Sequence, residues 1–321
     1  MFRRILIMIL LAMPLVAGPI MAHKKYAPVP AGANGPPIPK KGYLVEEIRG
    51  GVYWVTEGVY QALFVTTGEG VIVVDAPPTI GKNLLKAVKE TTSEPIKYFV
   101  YTHQHKDHVG MAAIMPKGTI FVGHEKVAAR LKAANDPNRP VPSITFSDQY
   151  TLTLGNQRME LANKGRSHED GSTYVYFPKQ KVLMLVDVIF PGWVPFKDMA
   201  LAKSVSGFIK AHDHVLAYDF DTFVGGHLTR LGNRKDVEVA KEYILDVMAN
   251  AGKALQSVNF MEIAQKTGFQ NRWALFKTYL DAVAEHCAQA TLVKWLNVLG
   301  GADVFTFDHC WIAQEHIQLD Y

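Results

Sequence analysis

The stretch His103-Gln104-His105-Lys106-Asp107-His108 places four potential metal ligands within six residues. It follows Ile96-Lys97-Tyr98-Phe99-Val100-Tyr101-Thr102, an apolar and aromatic run of the kind that forms a buried strand. A strand that ends in a ligand-rich loop puts its histidines at a sheet edge, where a cation can sit half open to solvent. In an extended segment His103 and His105 point the same way, Asp107 continues that parity, and His108 falls on the other side as the chain turns. One short segment can therefore feed two ions from opposite sides. A lone histidine is more often structural than a ligand; the density of this grouping reverses that expectation.

Working outward, three more residues of ligand type stand at the tips of expected strands. His168, in Gly165-Arg166-Ser167-His168-Glu169-Asp170-Gly171-Ser172, precedes an expected strand at 173–177. Asp187 ends the apolar run 182–186, and His227 follows the short strand 222–225 in Gly225-Gly226-His227. Zinc accepts imidazole nitrogen and carboxylate oxygen, and a catalytic site keeps one position for water. Each of the three is a weak signal alone and a strong one beside the first cluster. By contrast, His212 and His214 are two apart in a stretch expected to be helical, where that spacing does not share a face.

The surrounding pattern is α/β. Strands are expected at 43–48, 52–56, 60–67, 70–75 and 96–102, with a helix at 80–91 and another at 125–134. A second β-rich half follows, with strands at 145–146, 150–154, 158–162, 173–177, 182–186 and 222–225, and helices at 204–217 and 234–251. Two such halves suggest two sheets packed face to face with helices outside. From residue 252 the chain is mainly helical, and Trp273, Phe276, Leu280, Val283 and Cys287 step by three and four to give one apolar stripe. This extension, residues 252–321, could cover the core, form a dimer contact or roof the active site, the first being the default.

The chain of 321 residues can bury a large core, and 48% hydrophobic with 20% charged residues is globular rather than disordered. A formal charge of +4 without a dense basic block gives little support to nucleic-acid binding. Arg3-Arg4, the apolar run 5–16 and the small residues Ala17, Gly18 and Ala22 have the order of a secretory signal peptide. The expected arrangement is a signal over 1–22, a Pro/Gly-rich linker over 23–42 and a soluble, exported (periplasmic or secreted) protein without stable membrane insertion; a retained N-terminal anchor is the alternative. The two cysteines, Cys287 and Cys310, fit either a disulfide of an oxidising compartment or simple burial on a helix face.

With the His-x-His-x-Asp-His motif at 103–108, and His168, Asp187 and His227 in order after it, residues 43–251 resemble the metallo-β-lactamase fold superfamily. The resemblance implies an αββα sandwich of two mixed sheets with outer helices and a dinuclear metal site, two Zn2+ or other divalent ions. His103, His105 and His168 would hold the first ion, Asp107, His108 and His227 the second, and Asp187 would bridge them together with a water or hydroxide. β-Lactamases proper usually carry Cys or Ser where Asp187 stands, whereas glyoxalase II, lactonases and other relatives carry this bridging carboxylate.

Two ions sharing a water would lower its pKa from about 15.7 to near neutrality and deliver hydroxide to a polarised carbonyl or phosphoryl centre. Asp107 is the candidate catalytic residue, orienting the nucleophile beside its ligand role. Phe190-Pro191-Gly192-Trp193-Val194-Pro195-Phe196, just after Asp187, offers Trp193 and Phe196 as substrate-binding candidates in an apolar wall, with core packing the alternative. Lys106, Tyr218 and Arg230 could contact a substrate anion, although surface or supporting roles suit each better. The expected activity is hydrolysis of a small ester, lactone, thioester or amide; a phosphodiesterase of the same fold and a non-catalytic zinc-binding module are the alternatives. The expected partners are a small-molecule substrate and a second copy docked through the C-terminal helices, with no nucleic acid.

Overall fold

The computed structural model describes residues 26–320, so the expected signal peptide lies outside the described residues. Two mixed sheets form the centre. The first has seven strands in sequential order, β1 (Leu44–Arg49), β2 (Val52–Thr56), β3 (Gln61–Thr66), β4 (Val71–Val74), β5 (Ile96–Val100), β6 (Ile120–His124) and β7 (Ile144–Phe146). It is antiparallel up to β4 and parallel from β4 to β7. The second runs β12-β11-β10-β9-β8, with β8 (Gln149–Leu154), β9 (Gln157–Ala162), β10 (Tyr174–Phe177), β11 (Val182–Met184) and β12 (Thr222–Val224), and only β11 and β12 pair in parallel.

The helices are α1 (Asn83–Thr91), α2 (Lys106–Val109), α3 (Glu125–Ala134), α4 (Lys197–Leu201), α5 (Val205–Leu216), α6 (Arg234–Ser257), α7 (Phe260–Thr267), α8 (Arg272–Trp295) and α9 (Ala302–Asp320). Strand alternation sorts the side chains into layers. On β3, Leu63 and Val65 enter the core between the sheets, where they join Val175, Phe177 and Met184, while Phe64 faces outward with Leu84 of α1 and Leu131 of α3. The outer face of the second sheet, through Tyr174, Leu183 and Phe223, shares one cluster with Phe208 of α5, Tyr243 of α6, Val283 of α8 and Ala313 of α9. The architecture is therefore the expected αββα sandwich.

Several elements depart from the sequence reading. The strand at 120–124 was not expected, because it is short and contains Gly123. Helix α6 runs to Ser257, through the boundary drawn at 251, and begins in a capping box between Asn233 and Asp236. The C-terminal helices share the core of the second sheet, the default expected for residues 252–321. Within the apolar stripe of α8, Val283 and Cys287 are buried but Trp273 is 82% and Phe276 48% exposed. Helical spacing fixes a face of the helix; it does not say how far a neighbour reaches along it. Residues 26–42 are docked, with the Ala27 amide donating to Asp303 and the Trp193 indole to the Ala33 carbonyl. Cys287 and Cys310 are disulfide-bonded, tying α8 to α9 across a Cα separation of 5.8 Å.

The site-bearing edge is closed by backbone pairing between the sheets. The Thr173 amide donates to the Thr102 carbonyl at 2.9 Å, and the Gln61 amide to the Gly226 carbonyl at 2.9 Å. The ends of β5, β11 and β12 and the start of β10 are thereby brought to one place.

Candidate metal centre

Asp187 is the hub. It follows β11 with left-handed backbone (φ 62°), which a short polar side chain tolerates better than a branched one. Its Oδ2 lies 3.3 Å from the Nε2 atoms of His103, His108 and His168, and its Oδ1 2.7 Å from His227 Nε2. Burial alone would raise its carboxyl, but His108, His103 and His227 outweigh burial and hold it well below the usual carboxylate range.

The imidazoles around it are oriented from behind. Asp75, at the end of β4, accepts from the Thr102 amide at 3.0 Å and from its hydroxyl at 2.6 Å, and the Thr102 oxygen lies 3.0 Å from His103 Nδ1. The Thr102 hydroxyl proton is committed to Asp75, so His103 Nδ1 must donate and Nε2 keeps its lone pair. That Nε2 is buried and has no hydrogen-bond partner. His168 Nδ1 faces the Ala200 carbonyl at 2.6 Å, and His105 Nε2 faces Glu169 Oε1 at 2.9 Å. Both partners are acceptors, so the remaining nitrogens, His168 Nε2 and His105 Nδ1, carry lone pairs that meet at 3.1 Å. Three lone pairs and a carboxylate converging in a buried place repel one another unless a cation lies among them. This donor set fits a metal ion.

The second group is Asp107, His108 and His227, whose ligand atoms lie within 4.8 Å of one another, as do those of His103, His105, His168 and Asp187. His108 Nε2 is 3.1 Å from His227 Nε2 and 3.6 Å from Asp107 Oδ2. Burial lowers the His108 pKa, but Asp187, Asp75 and Asp107 outweigh it and push it up to about 9. Burial pushes His103 the other way, down to about 3.

All seven expected ligand residues are brought together in these two groups, although the parity argument needs correction. Lys106–Val109 is a helical turn, so Asp107 does not continue the extended alternation of His103 and His105. It diverges from His108 by helical rotation, leaving Asp107 half exposed and His108 buried. Asp75, Thr102 and Glu169 were missed as supporting residues. Glu169 is nearly buried, and its bonds to His105 and Gln104 outweigh burial to hold its carboxyl at about 2. Its position next to His168 was the available signal.

Beside the two groups opens a cavity of ≈ 690 Å³. Asp107 reaches it, and Tyr60 donates to Asp107 Oδ2 at 3.4 Å; burial and then Asp107 push the Tyr60 hydroxyl up to about 12. Trp193 and Phe196 both line this cavity. Of the anion candidates, Lys106 lines the cavity but faces Asp136 at 3.5 Å, Arg230 pairs with Asp236 at 2.8 Å, and Tyr218 lies elsewhere, stacked on Tyr174. His212 is buried and bonded to the Phe208 carbonyl, apart from both groups.

Residues 55–227 match the family model of the metallo-beta-lactamase superfamily. The chain is 28% identical over 195 residues to the 2,4-dinitroanisole O-demethylase subunit alpha of Nocardioides sp. (strain JS1661), covering 59% of each chain. It is 24% identical over 131 residues to the metallo-beta-lactamase type 2 of Elizabethkingia meningoseptica, covering 40% of this chain and 52% of that one. The chain thus spans between half and three-fifths of these curated relatives. Among solved structures it is similar to a metallo-beta-lactamase from Pontibacter korlensis, with TM-score 0.54, 23% identity, and coverage of 62% of this chain and 99% of that one. The metallo-beta-lactamase IND-7 aligns with TM-score 0.52 at 18% identity, over 63% of this chain and 99% of that one.

Proposed function

The chain belongs to the metallo-beta-lactamase superfamily, and from that premise we propose that it is an exported dinuclear zinc hydrolase acting on a small ester, lactone, thioester or amide. The observation that carries the reading is the sharing of Asp187: its Oδ2 lies 3.3 Å from His103 and His168 of the first group and from His108 of the second, and its Oδ1 lies 2.7 Å from His227 of the second. A carrier or sensor of a single ion has no use for two adjoining ligand groups beside an open cavity. His103, His105 and His168 would hold one ion, Asp107, His108 and His227 the other, with Asp187 between. Bound divalent ions supply Lewis acidity and a nucleophile from water at neutral pH.

The chain's own residues do the rest. Asp107, half exposed toward the cavity, accepts a proton from the attacking water at a carboxylate oxygen and orients that water toward the substrate. The Tyr60 hydroxyl stays protonated and holds Asp107 Oδ2 in place. Trp193 and Phe196 exclude bulk water and position the substrate body. Asp187, in place of the Cys or Ser usual in β-lactamases proper, disfavours a dedicated β-lactamase. Export is supported by the order of residues 1–22 and by the Cys287–Cys310 disulfide. Self-association through the C-terminal helices is part of the proposal, supported by the exposed Trp273 and Phe276.

A second reading, hydrolysis of an activated aryl ether, is favoured by the resemblance to the 2,4-dinitroanisole O-demethylase subunit. Zinc-replete protein should be assayed on esters, lactones, thioesters, β-lactams, nitroanisoles and phosphodiesters, with its metal counted by elemental analysis. The expected result is about two ions per chain, carbonyl turnover above the others, and loss of both turnover and the second ion in Asp107→Ala. Unchanged activity in that variant, or dominant phosphodiester cleavage, would overturn the proposal.

A further inference from the structure

Part of the cavity wall comes from a stretch of the chain outside the matched family region. Val304 and Phe305, in the first turn of α9, line the cavity together with Gly300 and Gly301. The family model ends at residue 227, and all of α6 to α9 lies beyond it. The connection is built in. Val194 donates to the Gly300 carbonyl at 3.1 Å, Gly300 donates to the Gly192 carbonyl at 2.9 Å, and a Cβ on Gly300 would stand 2.6 Å from the Trp193 ring. Phe196 meets Phe305 edge to face, with ring centroids 5.1 Å apart. Phe196 and Leu201 are both about half exposed, at 50% and 48%, on the cavity side of this contact.

The chemistry of this wall is one-sided. Beyond Phe190, which stacks on His227, it includes Trp193, Phe196, Leu201, Val304 and Phe305. The one Lys or Arg among the lining residues, Lys106, is largely exposed and has its amine 3.5 Å from Asp136. A substrate carboxylate seated against these apolar side chains, away from the ligand groups, would lose water and gain no partner, which is costly. An apolar group would cover Phe196 and Leu201 and gain affinity with each methylene.

The geometry points to an uncharged substrate with a bulky apolar acyl or aryl body, held between residues 190–201 and the first turn of α9, so that the C-terminal extension sets specificity. The placement of the reactive group beside Asp107 rests on the hydrolase proposal; the apolar seat does not. The test uses zinc-loaded full-length protein and p-nitrophenyl esters of acetate, butyrate, hexanoate and hemisuccinate. kcat/KM should rise about four-fold per methylene along the alkyl series, and the hemisuccinate should fall at least about ten-fold below butyrate, the loss of an unpaired buried charge. Phe305→Asp should flatten the series. Calorimetric titration with a neutral ketone, 1-phenyl-1-hexanone, reads the seat without turnover, and binding should be lost in Phe305→Asp. Ester cleavage with a flat series, or with hemisuccinate preferred, overturns the inference and leaves the hydrolase reading standing. Ketone binding that depends on Phe305, without cleavage of any ester, upholds the inference and sinks the hydrolase reading. Neither binding nor cleavage overturns both.

Discussion

His168 Nδ1 donates to the carbonyl oxygen of Ala200 at 2.6 Å, and Ala200 is the third of four consecutive left-handed residues. Asp198, Met199, Ala200 and Leu201 have φ of 53°, 52°, 57° and 55°. Side chains in that region cost about 1–2 kcal/mol each, so the acceptor that fixes this imidazole is held by a strained turn. Asp198→Gly should remove part of the strain and stabilise the protein by about 0.5–1 kcal/mol. Asp198→Pro, locked near φ of about −65°, should unwind the turn and weaken metal binding by about 10–100-fold. Thermal melts and competitive chelation measure the two effects.

Acid should destabilise the fold through histidines remote from the ligand groups. Burial pushes His309 and His212 down to about 4 from an ordinary 6.5. His309 is held neutral between the Tyr243 hydroxyl at 2.7 Å and the Phe196 carbonyl at 3.1 Å. Because the folded value lies below the unfolded one, the unfolded chain binds more protons in that window. Stability is therefore complete above pH 6.5 and is lost as pH falls toward 4, at up to about 3 kcal/mol per residue. Urea unfolding at each pH should show a slope one proton shallower in His309→Gln than in the wild type.

Breaking the Cys287–Cys310 bond, whose partners are 23 residues apart, should cost about 3 kcal/mol if loop entropy dominates. Cys287→Ala/Cys310→Ser should melt at lower temperature, and reducing agent should do the same to the wild type. Ion content at ambient temperature should be unchanged, since neither cysteine is near the seven ligand residues. A drop in zinc stoichiometry would contradict this separation.

Gly300→Ala should displace Trp193, because the new methyl would meet its ring at 2.6 Å. A clash of this kind costs about 1–3 kcal/mol and would also loosen the indole bond to Ala33. Near-ultraviolet circular dichroism should lose Trp signal, and KM for apolar substrates should rise with kcat little changed.

The ligand set was legible because its chemistry is local. His103, His105, Asp107 and His108 are close in sequence, and His168, Asp187 and His227 fall where strands end, so the sheets must bring them to one edge. The supporting layer was not legible. The Ala200 carbonyl has no side-chain signature, and Lys197-Asp198-Met199-Ala200-Leu201 contains ordinary helix formers with nothing to announce a left-handed turn. Asp75 and Thr102 act through a hydrogen-bond relay whose members lie on neighbouring strands, which no spacing rule connects. The role of Val304 and Phe305 was hidden for a different reason. An apolar pair in the first turn of a helix reads the same whether it faces a core or a cavity.

Val304 and Phe305 stand far along the chain from the seven ligand residues, of which His227 is the last. On the proposed reading, guest selection and ion retention are carried by separate stretches of sequence. On that reading, exchanging one helical turn near the chain's tail would retune what is admitted without replacing any ligand residue, a modularity open to natural variation and to redesign alike.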